Sequence, residues 1–241
     1  ILYREERANE RTKEAPKETN LDAPKISVTK KDGSKVPLDI NRLASVVNHA
    51  CEGLEDVSAD VILKESIKNL YDGVSVSDMK SALVMSARTK VELEPNYSFV
   101  TARILLDELR SEALTFLDIA EESSHPEMKD YYPKAFHAYI DKGIELEMLD
   151  PKLKDFDLNK LGEAIEYNRD YQFTYLGLQT LYDRYFIHYQ DTRYELPQIF
   201  FMRVAMGLAL NEDNKDFANI KNLKINLKLS NFFYSKNIKI K

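Results

Sequence analysis

The sequence holds a single cysteine, Cys51. One thiol cannot close an internal disulfide, form a CxxC redox pair or build a thiolate zinc site. Chemistry that needs a reducing cysteine pair is excluded for this chain acting alone, and a cytoplasmic location is the default expectation. No apolar run is long enough to span a bilayer. Residues 1–20 are charged and lack the apolar stretch of a signal peptide. There is no P-loop and no GxGxxG, so Walker-type and Rossmann nucleotide sites are excluded as far as motifs exclude them. The four histidines, His49, His125, His137 and His188, show no HxxxH or HExxH spacing, and no metal site is expected. The first residue is Ile1 rather than Met, which reads as a fragment of a longer product.

What is present is ordinary for a water-soluble protein: 44% hydrophobic and 31% charged residues over 241 positions, enough for one large domain or two modest ones. The formal net charge of −6 argues against a general nucleic-acid binder. Neither nucleic acid nor a membrane is expected as a partner.

Residues 1–25 are polar, contain Pro16 and Pro24, and read as a flexible arm. Order is expected from Ile26. Two short β-prone runs, Ile26/Val28 and Val36/Leu38, flank Asp32-Gly33, a hairpin signal because glycine takes positive φ at no steric cost. Four helices follow. The first spans about Asn41 to Cys51, with Leu43, Val46, Val47 and Ala50 on one face and Gly53 as a stop. Ser58 caps the second, Ser77 the third, and Pro95 suits the first turn of the fourth. The fourth carries Phe99, Ala102, Leu105, Leu106, Leu109 and Ala113 and ends near Phe116. Residues 26–116 thus form one unit, and Glu121 to Pro126 a linker.

A second helical region covers residues 126–212. It has a turn at Asp150-Pro151, an aromatic-rich helix around Phe173 to Tyr189, a polar break at Gln190-Asp191-Thr192, and an apolar helix from Pro197. The expected fold class is mainly α: a small hairpin with four helices, then an all-helical segment. Residues 213–241 change character. From Lys215 there are seven lysines against one acid, Asp216. Such a basic tail is either an amphipathic or nucleic-acid-binding extension, or the product of a truncated or shifted reading frame.

The hairpin carries the chemistry. Lys30 and Lys31 before a tight Asp-Gly turn set two cations beside backbone N–H groups, a combination that holds polyphosphate. Arg42, at the start of the next helix, adds a planar fork. The plainer alternative is a solvated hairpin whose lysines face water. The aromatic run Tyr171, Phe173, Tyr175, Tyr182, Tyr185, Phe186 and Tyr189 reads as core and interface packing rather than base stacking. Cys51, among apolar neighbours, reads as a small core residue.

Val28-Thr29-Lys30-Lys31-Asp32-Gly33, with Leu38, Arg42 and Leu43, resembles the opening of the ATP-cone domain. Ala50-Cys51-Glu52-Gly53-Leu54, Tyr71-Asp72-Gly73-Val74 and Pro95-Asn96-Tyr97-Ser98-Phe99 leading into Ala102-Arg103 occur in that family's order. A second segment, Asn168-Arg169-Asp170-Tyr171-Gln172-Phe173-Thr174-Tyr175-Leu176-Gly177, with Glu195-Leu196-Pro197-Gln198 and Arg203-Val204-Ala205-Met206, resembles the all-helical N-terminal segment of the class I ribonucleoside-diphosphate reductase large (alpha) subunit.

The resemblance implies that ATP or dATP binds the cone as an allosteric effector and raises or lowers the reduction of ribonucleoside diphosphates to deoxyribonucleotides. It implies a nucleotide site over Lys30, Lys31, Val36, Pro37, Leu38, Asp39, Ile40, Asn41, Arg42 and Val76. Val36, Val76, Asp107 and Ser111 stand where polar, aromatic or basic contacts are usual. It also implies a radical-generating small (beta) subunit as partner and a homo-oligomer. The family's thiyl-radical chemistry belongs to a barrel beyond the matched residues. Where a Ser/Thr-Pro-Thr-Leu-Phe-Asn motif is expected, the sequence reads Leu229-Ser230-Asn231-Phe232-Phe233-Tyr234-Ser235. The chain alone is therefore expected to be inactive. The alternative function is a non-catalytic oligomerisation or binding module with a degenerate cone.

Overall fold

The computed structural model describes residues 26–30 and 33–210. Lys31, the arm at residues 1–25 and the basic tail lie outside the described residues. The chain opens with β1 (Ser27–Thr29) and β2 (Lys35–Pro37), antiparallel, with Val28 opposite Val36. Gly33 closes the turn at φ 81°, its N–H donating to the Lys30 carbonyl at 3.0 Å.

Helix α1 (Ile40–Cys51) begins where the Asp39 carboxylate accepts from the Arg42 N–H, satisfying one of the helix's orphan donors. It buries Leu43, Val47 and Ala50. Helix α2 (Ala59–Lys68) follows. Its cap residue Ser58 makes no side-chain cap bond, and the Ser58 N–H donates instead to the Tyr97 hydroxyl. Asp72-Gly73 then does more than end a helix. Asp72 accepts from the Ser27 N–H and hydroxyl, and Gly73, at φ 83°, donates to the Ser27 carbonyl. This seats β3 (Val74–Ser75) parallel to β1, giving a three-stranded sheet in the order β2-β1-β3. Two residues show no alternation, so the third strand is invisible to sequence periodicity.

Helix α3 (Val76–Arg88) is capped by Ser75, whose hydroxyl accepts from the Asp78 N–H, and not by the expected Ser77. Helix α4 (Tyr97–Phe116) is buried nearly all round. It packs on α1 and α3 on one side. On the other it meets the second region: α7 (Tyr175–Arg184), β5 (Thr192–Arg193) and the 3-10 turn Tyr167–Gln172. That region also contains α5 (Met128–Glu145), α6 (Leu158–Glu163) and α8 (Pro197–Ala209), which begins on a proline, as expected. The polar break at Gln190-Asp191 is the turn of a hairpin joining β4 (His188–Tyr189) to β5, so the aromatic-rich helix is shorter than its sequence suggests. One continuous apolar core runs from Val28 to Ala209, with α4 through its centre. No described helix is long and apolar enough to cross a membrane.

Candidate functional site

Arg42 leaves the first turn of α1 and reaches two carboxylates. Its Nη2 lies 3.6 Å from Asp107 on α4, and its Nε 3.2 Å from Glu122, which follows α4. Asp107 is largely buried. Burial pushes its carboxyl above the ordinary range and Glu122 pushes the same way, while Arg42, Lys80 and Arg110 pull it back. Lys80, on α3, also lowers the neighbouring Glu108, whose carboxyl burial raises. The segment after α4 folds back along that helix. Ser111 donates from its hydroxyl to the Glu121 carbonyl at 2.9 Å, which sets Glu122 over Arg42.

Beside this group a cleft lies between α1, α4 and the second region, lined by Arg42, Ser45, His49, Arg103, His125 and Tyr171 among others. Arg103 donates to the Ala50 and Glu52 carbonyls at 3.0 and 2.7 Å, tying off the end of α1. Its guanidinium stands over the Tyr171 ring, 4.2 Å from the centroid. His125 stacks on the same Tyr171 ring, centroids 3.6 Å apart. Its Nδ1 is 3.0 Å from Arg110 Nη2, and its Nε2 is 3.2 Å from Asn168 Oδ1. A guanidinium only donates, so Nδ1 accepts and Nε2 carries the proton. Burial and the Arg110 charge push this imidazole down to about 4.

Behind the cleft Asp170 is fully buried and accepts from Arg110 Nη2 at 3.0 Å, Tyr132 Oη at 2.8 Å and Gln198 Nε2 at 3.0 Å. Four elements therefore meet on one carboxylate: α4, α5, the 3-10 turn and α8. The cations of the cleft are each engaged. Arg110 has Asp170, Arg42 has Asp107 and Glu122, and Arg103 has carbonyls and a ring. Among the described residues no His, Cys, Asp and Glu cluster is arranged to hold a metal ion.

Residues 26–112 match the ATP cone domain family, and residues 171–233 match the all-alpha domain of ribonucleotide reductase. The chain belongs to the ribonucleoside-diphosphate reductase alpha-subunit family. It is 39% identical over 220 residues to the subunit alpha of Chlamydia trachomatis, covering 89% of this chain and 20% of that relative. To the subunit alpha of Helicobacter pylori it is 33% identical over 189 residues, covering 78% and 22%. To the large subunit of Danio rerio it is 27% identical over 186 residues, covering 76% and 22%. The chain spans about one fifth of the length of the curated relatives it matches. The all-alpha match continues past residue 213 into the basic segment.

Within this reductase cone the residues singled out in the sequence fall into groups. Lys30 is exposed and closes the hairpin, its N–H donating to the Ser34 carbonyl. Val36 is half-buried on β2, with Pro37 exposed beside it. Leu38 donates from its N–H to the Ile26 carbonyl, and Asp39 is the cap of α1. Ile40, Asn41 and Arg42 form the first turn of α1, and Val76 opens α3. Sequence reasoning missed Lys80 and Glu122. Lys80 shares the α3 segment with Val76, one turn on, and that spacing is the signal that finds it. Glu122 has no such signal, because only the fold-back after α4 carries it to Arg42.

Proposed function

We propose that residues 26–116 sense ATP and dATP for the reductase, and so raise or lower the reduction of ribonucleoside diphosphates to deoxyribonucleotides. In this reading Lys30, Lys31 and Arg42 meet the phosphates by charge. The first-turn N–H groups of α1, at Ile40 and Asn41, and of α3, at Val76, supply amide donors, since first-turn N–H groups have no intrahelical partner. Val36, Pro37 and Leu38 form the hairpin wall, and Asp39 holds the start of α1 in place. Lys80 adds a cation that the sequence reading had not assigned. The observation that supports the reading best is the guanidinium of Arg42, held among carboxylates at the first turn of α1 within the ATP-cone match.

The switch requires ATP and dATP to favour different assembly states, since a ligand with equal affinity for both shifts nothing. A homo-oligomer and a radical-generating small (beta) subunit are the partners through which such states act. Reduction itself calls for several thiols. Cys51 is the one cysteine in the sequence, and burial pushes its thiol up to about 11, so it packs as a neutral side chain. The 241-residue chain on its own is therefore inactive in this reading.

Titration calorimetry of the chain with ATP and with dATP tests the proposal. Saturable heat is expected for both, and Arg42→Ala weakens binding by about tenfold or more, the worth of a charge-assisted hydrogen bond. Absence of heat for both nucleotides at millimolar concentration overturns it. A second reading, an association module with a degenerate cone, is favoured by Asp107, a carboxylate at the phosphate-facing cation. Sizing chromatography separates the two: assembly that ignores dATP supports the module.

A further inference from the structure

We propose that Glu122 is an intramolecular competitor for the effector, occupying the cation that a nucleotide phosphate must reach; this rests on the nucleotide-sensing reading above. The carboxylate stands 3.2 Å from Arg42 Nε, and Asp107 approaches the same guanidinium from α4 at 3.6 Å. Two carboxylates thus share one guanidinium. Glu122 is the exposed partner and Asp107 the largely buried one, so Glu122 is the one free to leave. The backbone that carries it is tied to α4: Ser111 donates to the Glu121 carbonyl, and Thr115 Oγ1 lies 3.4 Å from the Ala120 carbonyl. Two residues on, Ser124 donates from its N–H and hydroxyl to Glu127 at the head of α5. His125, next in the chain, stacks on Tyr171 and bonds Arg110.

The segment that carries Glu122 is therefore the covalent link between the cone and the second region. A phosphate oxygen that takes the Arg42 Nε–H must displace Glu122 from it, since that nitrogen carries one donor. Binding releases the glutamate, and by linkage anything that holds the segment down weakens binding by the same factor. Asp107, which stays, carries a carboxyl already raised by burial, and its charge sets the affinity lower for every anion at this point.

Glu122→Gln tests this in the full 241-residue chain, with ATP as the probe in calorimetry. The pair is solvent-exposed, so its removal is expected to tighten ATP binding by about two- to fivefold, a gain that shrinks as salt rises. Glu121→Gln removes the same charge one residue away and serves as the control. Hydrogen exchange over residues 119–124 is expected to rise on adding ATP to the parent chain. Tightening by Glu122→Gln but not by Glu121→Gln supports the proposal. So does ATP binding that appears only in Glu122→Gln. Equal effects of the two variants, or parent binding unchanged in Glu122→Gln, overturn the competition and leave the nucleotide-sensing reading standing. Absence of binding in the parent and in both variants overturns the sensing reading and the competition together.

Discussion

The imidazole of His125 has Arg110 on one nitrogen, Asn168 on the other and the Tyr171 ring against its face. Its folded-state pKa of about 4 lies below the ordinary 6.5. The unfolded chain therefore takes up the proton first as pH falls. Stability from this residue is fully present above pH 6.5 and is lost between 6.5 and 4. The ring is part-exposed, so the loss attributable to it is on the order of 1 kcal/mol after screening. Thermal melts across that window are expected to fall less steeply for His125→Gln than for the parent, and parallel slopes overturn the assignment. Other single residues bear on how much the sequence reveals. Arg103 and Asp170 stand out as family landmarks, yet nothing local says that one ties off a helix and the other takes three donors. Such roles depend on what lies opposite, and spacing along the chain does not encode it.

At the scale of elements, starts and stops were largely readable. Pro197 opens α8, Gly53 follows α1 at φ 70°, and the α1 face Leu43/Val47/Ala50 is the one the 3.6-residue period marks. These signals are local: a fixed φ, a missing N–H, a side chain that repeats on one face. The start of α3 was misread because Ser75 and Ser77 are both capping types, and only pairing of Val74-Ser75 with β1 decides between them. Strand pairing holds Ser75 extended, at φ −68° and ψ 151°, so the helix must start at Val76. Ser75→Ala is accordingly expected to cost about 1 kcal/mol, the usual worth of a side-chain cap. Ser77→Ala, exposed in the first turn, is expected to change stability by less than about 0.5 kcal/mol. Chemical denaturation of the two variants checks the order, and a larger cost at Ser77 overturns the boundary. Similarly, the hairpin β4-β5 hides within an aromatic-rich stretch because each strand has only two residues.

The whole molecule is organised by α4, which belongs to the cone by sequence and to both regions by packing. Its stripe at Phe99, Ala102, Leu105 and Leu109 reads as one face of an ordinary amphipathic helix, but burial extends to Thr101, Ile104 and Arg110 as well. The Arg110–Asp170 pair, with side chains 4% and 0% exposed, is the charged part of that junction. Removing one member of a buried pair strands the other, at about 3–5 kcal/mol. Arg110→Met is therefore expected to destabilise the cone and the second region together, because both share one core. Fluorescence and circular-dichroism melts should shift as one transition. If the melt instead splits and only the second region is lost at lower temperature, the two regions are not coupled through α4. The double variant Arg110→Met/Asp170→Asn is expected to cost less than the two single costs added, since neither charge is then left unpaired.

The amino-acid sequence by itself determined the turn at Gly33, most helix limits, the apolar faces and the match to a reductase cone followed by an all-alpha segment. These rest on forces between residues no more than a few positions apart. Tertiary structure alone decided that β3 joins the sheet, that α4 is shared, that Asp170 gathers three donors, and that Glu122 lies on Arg42. The partners in those contacts are far apart in the chain: Ser27 and Asp72 by 45 positions, Arg110 and Asp170 by 60, Arg193 and Glu112 by 81. No period or motif links such pairs. They meet because the apolar faces of α1, α3 and α7 are buried around α4, and the charges buried with them must then find each other.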